Sequence, residues 1–163
     1  MKDIWIRKAE EGDEAGIGDL CDLAFGGPEE RGIAAQLTRD GDSLLSLVAH
    51  NDREILGHIS FFRIGLEGAA DVAGLGPMAV HPARQKQGIG AGLVRLGLTL
   101  MEGGGQSIVF VLGHPEYYPK FGFSAVLAEP FTAPWQGPAF MAKQLGDTAP
   151  PPGRLTYPAA FGA

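Results

Sequence analysis

Apolar and polar residues alternate along this chain with two periods, and each change of period marks an element. Asp3 to Arg7 alternates around Ile4 and Ile6, predicting a first strand. Ile17, Leu20, Cys21, Ala24 and Phe25 then recur at helical spacing, with Asp13 placed to cap that helix and Gly26-Gly27 to stop it. Pro28 suits the first turn of a second helix that turns Ile33 and Leu37 inward and ends at Gly41. Glu29, Glu30 and Arg31 read as its solvated surface, with contact to a substrate as the alternative. Leu44 to Ala49 and Ile55 to Ile64 form two antiparallel strands around the turn Asn51-Asp52-Arg53, and Glu67 to Asp71 turns the chain into a strand ending at Val80. Ile89, Leu93, Leu96 and Leu100 mark the inward face of a long helix closed by Gly103-Gly104-Gly105. The unbroken apolar run Ile108 to Leu112 has the character of a buried parallel strand. Beyond it the pattern gives a short helix over Glu116 to Phe121, a strand entered at Gly122-Phe123, and a last strand over Ala139 to Leu145. Pro150-Pro151-Pro152 stiffens a connector to a tail, 150–163, whose apolar residues suit docking.

Strand, loop, helix and strand between Met78 and Leu112 make a βαβ unit. In such units ligands collect at the carboxyl ends of the strands, where Val80 and Leu112 lie. The connecting loop, Gln85-Lys86-Gln87-Gly88-Ile89-Gly90, is polar and carries two glycines into the helix. Glycine lets a ligand approach the backbone, and the unpaired N–H groups of a helix's first turn favour a phosphate or pyrophosphate. A Walker loop is excluded because Ala91-Gly92 follows Gly90, and the spacing GxGxG is not the dinucleotide fingerprint. The same glycines also serve a plain tight turn, so the loop alone does not assign a ligand.

Q-x-x-G-x-G after a strand that ends in hydrophobic-His-Pro resembles the acetyl-CoA motif of the GNAT superfamily of N-acetyltransferases. LGPMAVHPARQKQGIG followed by VLGHPEYYPKFGF is similar to the YhbS-type subgroup, over most of the chain. The resemblance implies a mixed α/β fold (α+β), with a mostly antiparallel central sheet of six to seven strands flanked by helices, in a single domain over 1–163. It implies acetyl-CoA as donor. Gln85, Lys86, Gln87, Gly88, Ile89, Gly90 and Ala91 would hold its pyrophosphate, and Met78, Ala79 and Val80 would form the strand along its pantetheine arm. Tyr118, at the tyrosine of the family's Phe-Tyr-x-x-hydrophobic-Gly-Phe segment, would contact the donor and protonate the departing thiolate; Tyr117 would be a packing aromatic. A phenol, with a pKa of about 10, lies close enough to a thiol for that task.

The base leaves less mark. His58 is the first candidate, because an imidazole on a strand near a cleft accepts protons near neutral pH, although a lone His in an apolar strand is commonly a hydrogen-bonded core residue. Water is the alternative, with Glu67 and Asp71 behind it. His81 reads as structural, and His114 stands where relatives of this type carry aspartate. Cys21 reads as core filler. The four histidines have no i, i+4 pairing for a metal, and no GxSxG elbow supports a serine hydrolase. With 163 residues, 45% hydrophobic and 20% charged, the composition is that of a globular protein. A net charge of −6 argues against general nucleic-acid binding and suits a cationic amine. No apolar run of membrane length occurs, so cytoplasm is the expectation. The acceptor, a small-molecule or protein amine, is not written in any motif; a homodimer is common in the family. A non-catalytic acyl-CoA-binding or interaction module is the alternative function.

Overall fold

The computed structural model describes residues 3–162. Six strands lie side by side in chain order: β1 Trp5–Lys8, β2 Ser43–His50, β3 Ile55–Arg63, β4 Val72–Val80, β5 Ile108–Leu112 and β6 Phe140–Gln144. All neighbours are antiparallel except β4 and β5. Antiparallel neighbours need only a turn, such as the one Asn51 builds by accepting the backbone N–H groups of Arg53 and Glu54, each at 2.9 Å. A parallel pair needs a crossover, and the helix α3, Ile89–Gly103, supplies it. Two further helices, α1 Glu14–Phe25 and α2 Glu29–Arg39, precede β2.

Two local expectations fail for identifiable reasons. Asp13 does not cap α1 with its side chain. Its carboxylate instead accepts from the two terminal Arg7 guanidinium nitrogens, at 2.7 and 2.9 Å, and from the Glu10 N–H at 2.7 Å, which caps the 3-10 turn Glu11–Asp13. Gly122-Phe123 opens no strand. Ser124 makes a single bridge to Ala142, and its hydroxyl accepts the Leu127 N–H to start the short helix α4, Ala125–Ala128.

Side chains alternate across the strands, so the sheet has two distinct faces. Ile59, Phe61, Val109 and Val111 face α3, whereas Phe62, Ile64, Ile108 and Phe110 face the opposite side. The buried stripe of α3 runs through Ile89, Leu93, Val94, Gly97, Leu98 and Met101, while Leu96 and Leu100 are 36% and 37% exposed. The expected stripe was rotated because its central contact carries no side chain. The buried Phe61 ring occupies the space a Cβ on Gly97 would take, so the residue that comes nearest the sheet looks like a gap in the apolar pattern. Filling that gap with a phenyl ring is worth roughly 1.5–3 kcal/mol of burial.

On the other face α1, α2 and the C-terminal tail cover the sheet. Arg31 ties α2 to α1: its guanidinium lies across Gly18, donates to Asp19 at 2.6 Å and stands 3.4 Å from Asp22. The tail is stitched to the end of β3 by paired backbone bonds between Gly65 and Thr156, at 2.9 and 2.8 Å. This sets Tyr157 and Phe161 against Phe62, with centroids 5.8 and 4.6 Å away.

Candidate active site

β4 and β5 pair only from Val72↔Ile108 to Leu75↔Val111. On its other side β4 carries a bulge, because three residues from Leu75 to Met78 advance against two from Phe61 to Ile59, and Pro77, which has no N–H to contribute, sits in it. Past the bulge β4 stays with β3 and parts from β5, opening a gap in the sheet. The His81 N–H donates to the Leu56 carbonyl at 2.8 Å. Counting back along the antiparallel ladder, Ala79 bonds to β3, and Met78 and Val80 turn their N–H and C=O groups toward the gap. The Val80 carbonyl is met there by the Gln85 side-chain amide at 3.4 Å. The N–H groups of Met78 and Val80 are left facing the opening.

The loop that follows is shaped from its own residues. His81 Nδ1 accepts the Ala83 N–H at 3.1 Å and caps the turn Pro82–Arg84, a structural role. Lys86 at φ 64° and Gly88 at φ 90° then reverse the chain into α3. The Gly88 carbonyl accepts the Gly92 N–H at 3.0 Å, so the N–H groups of Ile89, Gly90 and Ala91 have no helical partner. Space above them is open: nothing lies within 4 Å of where a Cβ on Gly88 would stand. At Gly90 the Tyr117 hydroxyl lies 3.1 Å and Val80 Cγ2 3.4 Å from that point, which brings loop, strand and tyrosine pair together.

A cleft of about 1070 Å³ runs through the gap and is lined on both sides of it. Its loop end carries Arg84, Lys86 and Lys120, and its other end carries Glu30. Tyr118, 7% exposed, lies over Gly113 and meets Tyr117 and Phe123 edge-on, with centroids 5.1 and 5.8 Å away. Burial, with Tyr117 adding to it, pushes the Tyr118 phenol up to about 12. Tyr117 is shifted upward by burial too, against the pull of Arg95, and the Lys120 ammonium stands 4.2 Å from its ring centroid.

Residues 42–125, which span the gap, the loop and both tyrosines, match the acetyltransferase (GNAT) domain family. The chain belongs to the GNAT N-acetyltransferases. It is 36% identical over 119 residues to the uncharacterized N-acetyltransferase YjhQ of Escherichia coli, covering 70% of this chain and 66% of YjhQ. To the uncharacterized N-acetyltransferase YhbS of the same organism it is 30% identical over 141 residues, 84% of each chain. The crystal structure of E. coli YhbS in complex with CoA superposes with a TM-score of 0.91 at 28% identity, over 98% of this chain and 92% of that one. A GNAT family acetyltransferase from Brucella melitensis in complex with acetyl-CoA gives 0.84 at 35% identity, over 97% of both chains. The mixed, mostly antiparallel sheet flanked by helices is the GNAT fold.

In this GNAT protein Met78, Ala79, Val80, Gln85, Lys86, Gly88, Ile89, Gly90, Ala91 and Tyr118 all line the cleft; Gln87 does not. His58 is not brought there. It is 1% exposed on the α1 face of β3, with Nε2 2.9 Å from Ser46 Oγ and 3.4 Å from Ser60 Oγ. Its Nδ1 is buried without a partner, and burial holds the imidazole down at about 4, so it stays neutral at physiological pH. Glu67 and Asp71 sit at the far end of β4 from Val80. Cys21 is fully buried on the inward face of α1, its thiol pushed up to about 11 by burial. His114 is exposed and lines the cleft. Among the described residues no three His, Cys, Asp or Glu side chains gather as a metal site, and no helix is long and apolar enough to cross a membrane.

Sequence reasoning missed the half of the cleft away from the loop. Phe62, Trp135, Tyr157 and Phe161 line it unforeseen, and so does Glu30, whose first reading was solvated surface and whose alternative was substrate contact. The available signal was spacing: Glu30 stands three residues before the inward Ile33 and shares its helix face.

Proposed function

We propose that the protein transfers the acetyl group of acetyl-CoA directly to a primary amine in a ternary complex. The observation that carries this reading is the opened β4–β5 gap, where two strand N–H groups and the unpaired first turn of α3 face one cleft. The residues present fit the donor. Gly88 and Gly90 leave room at the helix start for a pyrophosphate, and Arg84, Lys86 and Lys120 supply positive charge beside it. The N–H groups of Met78 and Val80 are free to bind the pantetheine amides and to polarise the acetyl carbonyl. The complexes of YhbS with CoA and of the Brucella acetyltransferase with acetyl-CoA support the same donor.

Acetyl-CoA supplies an acyl carbon on a thiol leaving group. The acceptor enters from the Glu30 side and attacks the acetyl carbon as the neutral amine. A C–N bond forms and the C–S bond breaks; the nitrogen's proton leaves to water, and the sulfur takes a proton from the Tyr118 hydroxyl, which water restores. At about 12 the phenol stays protonated over the working range, well above a free thiol near ~8.5. Tyr118 therefore serves first as hydrogen-bond donor to the charge growing on sulfur. No buried nucleophile is needed, and the pushed-up Cys21 thiol is unsuited to be one.

Thiol release from acetyl-CoA with a panel of amines tests the reading. Tyr118→Phe is expected to lower kcat by roughly 100-fold or more, while KM for acetyl-CoA moves little. Equal rates in the two proteins would hand the sulfur's proton to water.

A further inference from the structure

The two ends of the cleft differ in charge and in chemistry. The loop end is cationic. The other end, between the sheet, α1–α2 and the tail, is walled by Phe62 and Phe110 of the sheet with Trp135, Tyr157 and Phe161. These rings form a connected wall: Trp135 meets Tyr157 edge-on at 4.6 Å, and Phe161 lies 4.6 Å from Phe62 and 5.9 Å from Tyr157. Among the described residues that line the cleft, Glu30 is the one carboxylate. Among the described residues it has neither an ion-pair partner nor a side-chain hydrogen bond, although its neighbour Arg31 is held by Asp19 and Asp22. Arg31 thus fixes the helix that carries Glu30, and the turn Ala159–Phe161 packs against the same helix.

We infer that the acceptor is a primary amine on an aryl or branched-alkyl body, its ammonium drawn by Glu30 and its body laid against the ring wall that the C-terminal tail completes. The inference rests on the acetyltransferase reading above. An aromatic wall favours a flat apolar group and adds cation–π attraction for the ammonium beside it. The same wall rejects a polyamine or an aminoglycoside, whose many polar groups would lose water there and find few partners. An unpaired, half-buried carboxylate is a counter-charge waiting for a cation. The amine binds as ammonium at Glu30 and reacts after losing its proton on the way to the gap. The shared chemistry, an ammonium a short arm from an apolar group, occurs both in free arylalkylamines and in peptides beginning with phenylalanine.

The full chain, saturated with acetyl-CoA, is assayed by thiol release with phenethylamine, tryptamine and the peptide Phe-Gly-Gly against spermidine, kanamycin and lysine. The aryl amines are expected to exceed the polar ones in kcat/KM by at least about tenfold. Glu30→Gln should raise KM for phenethylamine roughly tenfold, with kcat and KM for acetyl-CoA within about twofold. Phe161→Leu, which keeps the tail apolar, should narrow the aryl preference severalfold. Phenethylamine ahead of Phe-Gly-Gly assigns a free amine, and the reverse order a peptide terminus. A preference for spermidine or kanamycin, or an unchanged amine KM in Glu30→Gln, overturns the inference, as does coenzyme A binding with turnover of none of these amines. Coenzyme A titration of the same sample separates the two levels: bound donor with the wrong acceptors removes the acceptor class alone, and no donor binding removes both.

Discussion

Acid should begin to weaken this protein as pH falls below 6.5, and His58 is the reason. The imidazole is held at about 4 by burial, against an ordinary 6.5. Above pH 6.5 it is neutral folded and unfolded, and contributes nothing to the pH dependence. Between pH 6.5 and 4 the unfolded chain binds a proton that the native protein refuses, so stability falls as pH falls. The slope is at most about 1.4 kcal/mol per pH unit, and across this window the loss sums to roughly 3 kcal/mol. Set against a typical net stability of about 5–15 kcal/mol, that is a large share. Asp13 does not blur the window. Its carboxylate is lowered from 3.8 to about 2, chiefly by the Arg7 hydrogen bonds, so its contribution is complete above pH 3.8 and lost only toward 2. Urea unfolding of the wild type and of His58→Asn at half-unit steps from pH 7.5 to 4 is the assay. The wild type is expected to lose about 3 kcal/mol over that range, and the variant markedly less. A wild type equally stable at pH 4.5 and 7 would refute the burial argument. So would a kinetic acid limb near pH 6.5 that vanishes in His58→Asn without a change in stability, since it would restore His58 as the base.

Gly97→Leu should destabilise by about 1–3 kcal/mol in thermal or urea unfolding, because the new side chain must displace the Phe61 ring; Leu96→Gln, on the exposed side of the same helix, should change stability by less than about 0.5 kcal/mol. Asp13→Asn should cost about 1 kcal/mol at neutral pH through the lost Arg7 pairing, with the difference fading as pH approaches 2, as paired unfolding curves would register.

The donor half of the site was readable because its chemistry is local. A loop that binds phosphate with backbone N–H groups needs glycines at fixed offsets before a helix, and Gly88 and Gly90 stand at those offsets within the consecutive stretch Gln85 to Gly90. The antiparallel pair around Asn51 and the parallel crossover followed from period changes that survive folding intact. Where a contact depends on an absent side chain, the pattern points elsewhere: Gly97 is the centre of the α3 packing and appears in the sequence only as a break between leucines. His58 shows the converse. A polar residue in an apolar strand attracts a functional reading, and only the sheet register reveals Ser46 and Ser60 beside it. The acceptor wall was illegible for a third reason, distance along the chain. Glu30, Phe62, Trp135 and Phe161 come together through tertiary packing alone, and no spacing relates them.

The central claim is that the gap and the α3 cradle hold acetyl-CoA, and calorimetric titration tests it most directly. Wild type, Gly88→Glu and Gly88→Ala are titrated with acetyl-CoA. The alanine variant carries the strain of a side chain at φ 90° without a carboxylate, and so separates backbone distortion from charge. Micromolar or tighter binding is expected in the wild type, a modest weakening in Gly88→Ala, and loss in Gly88→Glu. Absence of binding in the wild type, or equal affinity in all three proteins, would contradict it.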